Sequence, residues 1–147
     1  MFTKKGIYLI EYNVRLGDPE CQTVLSRLNT NLLDICLAIR DKKIKNLNLK
    51  KSKNKSACVV MASHGYPEKY SKGFQISIQK HSKILKNTKI FHAGTKRSND
   101  GKLLTNGGRV LNIVAIAKTI KKALDIVYKK CNDIYWKGSF YRKDIGS

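Results

Sequence analysis

The sequence predicts an α+β protein in two parts: a hairpin with two helices, then a mainly-β region with one long helix. Three patterns lead to this prediction. Short extended runs flank a glycine turn at the start, apolar residues recur at helical spacing over 18–41, and strand-like apolar runs follow residue 56. A stretch rich in lysine and asparagine lies between them. We therefore predict divisions at 1–45, a linker over 46–55, and a second domain over 56–147.

The opening hairpin is predicted over 2–15, with its turn at 3–6. Gly6 supplies the positive φ that such a turn needs. Alternation along the second strand then puts Glu11, Asn13 and Arg15 on one face. These polar side chains are the first candidates for a site.

Two helices are expected after the hairpin. Asp18 is predicted to cap the first, with Pro19 at the first helical position. The second is expected over about 30–41, with Asn29 or Thr30 as its cap and a broad apolar stripe. Both helices belong to the first part of the chain.

The second part is predicted to be mainly β. Its strands are expected at 57–62, 73–78, 89–93, 103–105 and 109–117. The apolar run over 57–62 is typical of a strand buried on both faces. Thr119 is expected to cap the long helix, about 120–134, and the aromatic residues from Tyr135 onward are expected to pack back onto the core.

Charge is the largest compositional signal. The 147 residues carry a formal net charge of +20. One interpretation is a polyanion partner such as nucleic acid. The other is codon bias with a solvated surface, which we favour because lysine far outnumbers arginine and specific base readers lean on arginine.

The cysteines and the apolar runs bear on the cellular setting. None of the four cysteines forms a C-x-x-C pair, and Cys36 and Cys58 are expected to be small core residues. The start lacks the apolar run of a signal peptide, and no stretch approaches the ~20 apolar residues of a membrane span. We expect a cytoplasmic protein with no membrane partner and no specific nucleic-acid partner.

Two short motifs carry candidate chemistry. The carboxylate of Glu11 and the amide oxygen of Asn13 are ligands that Mg²⁺ accepts, and Arg15 can hold a phosphate or carboxylate. Later, adjacent Gly107 and Gly108 let the backbone approach a ligand, and Arg109 could reach a phosphate. The alternatives remain an exposed polar strand for the first motif and a tight turn for the second.

The motif strings resemble one family in order and spacing. Over 11–22 the chain reads Glu-Tyr-Asn-Val-Arg-Leu-Gly-Asp-Pro-Glu-Cys-Gln, and further matching strings lie at 57–67, 91–95, 105–111 and 141–146. Together they resemble the C-terminal part of the phosphoribosylamine–glycine ligase (glycinamide ribonucleotide synthetase) family of the ATP-grasp superfamily. Leu16 departs mildly from the phenylalanine usual there.

The resemblance implies a fold, a reaction and site roles. The first part would be the end of an ATP-grasp domain, and 56–147 the ligase's C-terminal domain. The reaction would be ATP-dependent amide formation between glycine and 5-phosphoribosylamine in purine biosynthesis, with Mg²⁺ or Mn²⁺. Glu11 and Asn13 would bind the metal, Arg15 and Asp18 would be catalytic, and the Gly107, Gly108 and Arg109 loop would bind the cofactor.

The chain alone is expected to be inactive, because a complete ligase of this family is about three times longer. It could be a gene remnant, one half of a split enzyme whose other half is a separate polypeptide, or a shortened protein. Two alternatives of another class stay open: a basic protein that binds nucleic acid nonspecifically, and a noncatalytic partner subunit. The roles of His64, His92 and Glu20 also stay open.

Overall fold

The computed structural model describes residues 1–12, 14–79 and 87–146. The chain starts with a short hairpin of β1 (Phe2–Thr3) and β2 (Gly6–Ile7), followed by helices α1 (Glu20–Leu25) and α2 (Leu32–Arg40). The hairpin is antiparallel with Thr3 opposite Gly6, whose φ is +124°. The prediction of a glycine turn is therefore confirmed.

The second part contains the remaining strands and the longest helix. In chain order they are β3 (Lys55–Ser63), β4 (Ser77–Ile78), β5 (Thr88–His92), β6 (Thr95–Arg97), β7 (Leu103–Thr105), β8 (Arg109–Ala117), α3 (Ile120–Asn132), β9 (Ile134–Tyr135) and β10 (Ser139–Phe140). The mixed helix and strand content agrees with an α+β fold.

A four-stranded antiparallel sheet with strand order β10-β3-β8-β5 organises this part. Along β3 and β8, Val59 lies opposite Ile113 and Cys58 opposite Val114. Cross-strand neighbours share a face, so alternate residues point to opposite sides. One side packs against α3 through Val127 and Cys131, which are fully buried. On this side of β3, Val59 and Met61 are buried, whereas Cys58 and Val60 on the other side are half-buried, so the prediction of a strand buried on both faces is confirmed only in part.

Helix α1 covers the other side of the sheet. It contacts both β3 and β8, and the Ser56 hydroxyl donates a hydrogen bond of 3.0 Å to the Thr23 carbonyl oxygen. The stretch after α2 folds back on the same region, since the Ser52 N–H donates to the Arg27 carbonyl oxygen at 2.7 Å. Helix α1 therefore contacts the sheet that we assigned to the second domain, although the domain division itself stays a prediction.

The caps and core differ in part from expectation. Thr119 caps α3 by accepting from the Lys122 N–H at 3.2 Å, as predicted. Helix α2 is capped by Asn31 instead of Asn29 or Thr30, because Asn31 stands two residues before Leu33, whose N–H it accepts at 2.9 Å. Of the aromatic residues expected to pack onto the core, Trp136 is fully buried, but Tyr135 and Phe140 are exposed. Cys36 is also exposed and not a core residue.

Candidate functional site

The candidate site lies where the segment before α1 meets the start of β8. The Asp18 carboxylate is 3.1 Å from Nη2 of Arg109, and Nη1 of Arg109 donates to the Asp18 backbone oxygen at 2.8 Å. The two side chains are about two-fifths exposed, 41% and 38%. The fold thus joins two residues that the sequence separates by 91 positions.

Two amide side chains complete the contacts of this carboxylate. Gln22 donates from Nε2 to Oδ1 of Asp18 at 2.7 Å, and Asn112 donates from Nδ2 to the same oxygen at 3.0 Å. The amide of Asn112 reaches it from the middle of β8, in the part of the sheet that α1 covers. The Arg109 guanidinium and the amides of Asn112 and Gln22 therefore hold Asp18 from two elements, β8 and α1.

The prediction that Asp18 caps α1 is wrong. The N-cap residue is Pro19, and no side chain caps this helix. The carboxylate of Asp18 instead meets the Arg109 cation and two amides, which offer more hydrogen bonds than one helical N–H. Asp18 is thus a bridging residue between the first segment and the sheet.

The glycines before β8 allow two backbones to touch. A Cβ on Gly94 would lie 2.6 Å from both the Arg109 oxygen and Gly107 Cα, and a Cβ on Gly108 would lie 2.1 Å from the Tyr66 ring. The Gly94 N–H donates to the Arg109 oxygen at 2.9 Å. This close packing is one reason why Gly94 and Gly108 have no side chain. It also fixes the position of the Arg109 backbone at the end of the loop.

The predicted metal segment has a different backbone from the one expected. Strand β2 ends at Ile7, and residues 8–12 have no regular secondary structure, so the alternating strand face for Glu11 and Arg15 is wrong. Among the described residues β2 pairs only with β1, and the last backbone bonds of this hairpin join Tyr8 to Met1, where the chain begins its numbering. Glu11 is exposed, Arg15 donates from Nη1 to the Leu16 oxygen at 3.1 Å, and Asn13 lies outside the described residues.

The residues whose roles stayed open have local partners. Glu20 accepts the Gly17 N–H on Oε2 at 2.9 Å, and Nδ1 of His92 lies 3.1 Å from the Thr95 hydroxyl. His64 lines a shallow cavity of about 300 Å³ with Lys137. These contacts account for Glu20 and His92 structurally.

The described residues contain neither a metal-binding cluster of three side chains nor a helix that could span a membrane. Over 1–12, 14–79 and 87–146, no three His, Cys, Asp or Glu side chains gather into a metal-binding cluster. Our two-ligand hypothesis for Glu11 and Asn13 concerns an ion shared with phosphates, so it remains a prediction. Within the same described part, no helix has the length and apolar character of a transmembrane span.

Burial separates the thiols of this chain by reactivity. It raises the pKa of Cys58, on β3, to about 11 and that of Cys131, on α3, to about 12. Since the thiolate is the nucleophile, we expect iodoacetamide at about pH 8 to alkylate exposed Cys36 at least about tenfold faster than half-buried Cys58 or buried Cys131. Mass spectrometry of timed digests measures this. Equal rates in the folded chain would contradict it, and denatured protein serves as the control.

Sequence reasoning missed Asn112 and Gln22. A polar residue inside the apolar run over 109–117 was the available signal for Asn112, because a buried amide needs a partner. Nothing in the sequence marked Gln22, whose role depends on where Asp18 lies. Both were visible only once the sheet and α1 were in contact.

Comparison with known proteins gives consistent matches along the chain. The family model described as "Phosphoribosylglycinamide synthetase, C domain" matches residues 56–147. A protein of Fusobacterium nucleatum named phosphoribosylamine--glycine ligase is 44% identical over all of this chain and 34% of its own length. A protein of the same name from Caldanaerobacter subterraneus is 43% identical, with the same coverage of both.

A plant relative and a solved structure extend these matches. The chloroplastic phosphoribosylamine--glycine ligase of Arabidopsis thaliana is 40% identical over 94% of this chain and 26% of its own length. The crystal structure of the Thermotoga maritima ligase aligns with a TM-score of 0.71 at 29% identity, over 98% of this chain and 34% of that one. The chain spans about a third of the first two curated relatives.

Proposed function

The chain belongs to the family of the phosphoribosylglycinamide synthetase C domain, and we propose that it works as the C-terminal third of a phosphoribosylamine–glycine ligase. The whole enzyme would join glycine to 5-phosphoribosylamine at the expense of ATP. Relatives of that name match the entire chain. The comparisons give no support to the nucleic-acid-binding alternative.

The observation that carries the proposal is the ion pair between Asp18 and Arg109. It joins two strings that the resemblance assigns to one active site, although 91 positions separate them. Arg109 keeps 38% of its side chain exposed while bound to Asp18. A guanidinium held in place yet accessible is suited to binding a phosphate group.

The metal part of the proposal depends on the donor chemistry of the first segment. Glu11 presents an exposed carboxylate, and hard oxygen donors are what Mg²⁺ accepts. Glu11 together with Asn13 would hold the ion. A bound Mg²⁺ would orient nucleotide phosphates and neutralise their charge. Arg15 and Arg109 would contribute positive charge on the protein's side.

The exposed apolar residues of the first segment support the proposal that this chain functions together with the remaining two thirds of a ligase. Phe2, Tyr12 and Val14 are 87%, 82% and 95% exposed. Several large apolar side chains left this exposed in one short segment support a surface that another part of the protein covers. The rest of the ligase, in the same polypeptide or a separate one, would cover it.

A chimera tests the proposal most directly. The matched third of the Fusobacterium nucleatum relative is replaced by this chain, and ligation is followed as phosphate release that requires both glycine and 5-phosphoribosylamine. We expect activity, and we expect Glu11→Gln to lower kcat/KM by about 10²-fold or more, because a fixed charge at the metal is lost. Asp125→Asn, at an exposed position of α3, is the matched control and should keep full activity.

Each result of the chimera is informative. An inactive chimera, folded by circular dichroism, contradicts the proposed function. An active chimera that tolerates Glu11→Gln keeps the ligase assignment and rejects the metal role of Glu11. The isolated chain, assayed with ATP, Mg²⁺ and both substrates, is expected to show no turnover, and turnover would overturn that expectation.

A further inference from the structure

A single amide on β8 links the sheet to the segment that carries the candidate site. Asn112 is 1% exposed, with Val60 opposite it on β3 and Phe91 opposite it on β5. An amide in such surroundings is costly to bury without hydrogen bonds. Its nitrogen donates to Asp18, whereas its oxygen is buried with no hydrogen-bond partner among the described residues. The bond to Asp18 is thus what offsets the burial.

The contacts around Asp18 divide between two elements. Gln22 belongs to α1 and lies four residues from Asp18. Its hydrogen bond is therefore local to the helix and does not fix the position of Asp18 relative to the sheet. Arg109 and Asn112 both belong to β8 and bind opposite oxygens of the carboxylate, Oδ2 and Oδ1. Two contacts from one rigid strand define the direction of the carboxylate, which a single flexible arginine does not.

We propose that Asn112 is a positioning residue that orients Asp18, and through it the segment with Glu11 and Arg15, relative to Arg109. This inference rests on the proposed function, because it concerns the geometry of that same site. An uncharged donor suits the position, since Arg109 already neutralises Asp18 and a second cation would be buried without a counterion. The amide supplies direction while the guanidinium supplies charge.

The first test uses hydrogen exchange in the isolated chain. Asn112→Leu keeps the approximate size and removes the donor. We expect amides of α1 to exchange about tenfold faster or more, the equivalent of one lost hydrogen bond to a charged group. Amides of α3 should be unchanged. Unchanged exchange in α1 would overturn the proposal.

A matched control separates this role from the loss of any buried polar contact. Thr105 is fully buried and accepts the Phe74 N–H on its hydroxyl at 3.1 Å. Thr105→Val keeps the shape and removes that acceptor. We expect faster exchange near Phe74 and normal exchange in α1. The same loosening of α1 in both variants would show a general effect and would reject the specific role of Asn112.

A carboxylate at the same position offers a pH readout. The charged or titratable groups described around Asp18 include Arg109 from β8, Arg15 and Glu20 beside Gly17, and the Cys58 thiol from β3. That thiol stays neutral below its pKa of about 11. In Asn112→Asp, two neighbouring carboxylates resist double ionisation and share one proton as the pH falls. Exchange in α1, corrected for the intrinsic rate, should be fast at about pH 8 and recover towards about pH 5. Asn112→Leu should not recover, and recovery in both variants or in neither would count against the proposal.

The chimera supplies the functional readout. Asn112→Leu in the chimera should lower kcat by about tenfold to 10²-fold, as misplacement of a reacting group does. The KM for ATP should change less than kcat, because Asn112→Leu leaves the residues of the proposed cofactor-binding loop, Gly107, Gly108 and Arg109, unaltered. An inactive parent chimera rejects the proposed function and leaves the exchange experiment to decide on Asn112. An active chimera insensitive to Asn112→Leu rejects the positioning role alone.

Discussion

Trp136→Ala is expected to lower the free energy of unfolding by about 3–5 kcal/mol, as truncation of a large core residue does. The side chain is fully buried and packs in the core cluster with Met61 and Val127. It lies between β9 and β10, so its loss also removes the anchor for the end of the chain. Because it is the sole tryptophan, urea denaturation should be followed by circular dichroism.

Its neighbour provides the control. Tyr135 is 64% exposed, and Tyr135→Ala should change the unfolding free energy by no more than about 0.5 kcal/mol. The two variants remove aromatic rings from adjacent positions, so burial is the main difference between them. A similar loss in both would contradict our description of the core.

Gly94→Ala is expected to cost about 1–3 kcal/mol or more, because the added methyl group overpacks a rigid contact. Its Cβ would lie 2.6 Å from two backbone atoms, the Arg109 oxygen and Gly107 Cα. Backbone cannot rotate away as the end of a side chain can. The loop before β8 must therefore move, and Arg109 should shift relative to Asp18. Denaturation measures the first effect, and hydrogen exchange in α1 the second.

Gly17→Ala is the matched control for this variant. Its Cβ would meet a flexible group, the Glu20 carboxylate, at 3.0 Å. We expect a loss clearly smaller than that of Gly94→Ala. If Gly94→Ala were as stable as the parent chain with unchanged exchange, the close approach of the two backbones would not be a constraint on this fold.

Much of the second part was predictable because its signals are local. The apolar run over 109–117 is a strand with those bounds, and Thr119 caps the helix that follows. The strand expected over 73–78 is the weakest result, since β4 spans only Ser77–Ile78 and Gln75 makes an isolated bridge to Leu104. Alternation of side chains there did not guarantee a continuous pairing partner.

The first part was less predictable, because its structure depends on pairing partners that local sequence signals do not reveal. Alternation over 11–15 predicted a strand, but a strand needs a neighbour to satisfy its backbone groups. Among the described residues, the backbone bonds of the hairpin end at Tyr8, which pairs with Met1. Asp18 differs from the local prediction for another reason. Its side chain does not cap the helix, because Arg109 and Asn112, which are distant in the sequence, donate hydrogen bonds to it. Local preference is a weak guide wherever tertiary contacts compete with it.

By itself, the amino-acid sequence determined the family, the α+β composition, the buried strands and the cap of the long helix, because periodicity, turn residues and motif order are written in neighbouring positions. Only the tertiary structure decided that Asp18 meets Arg109 and Asn112, and that Gly94 must lie against Gly107. Contacts between residues far apart in the chain depend on how elements stack. No local pattern specifies that stacking, because burial and hydrogen-bond satisfaction are settled across the whole fold at once.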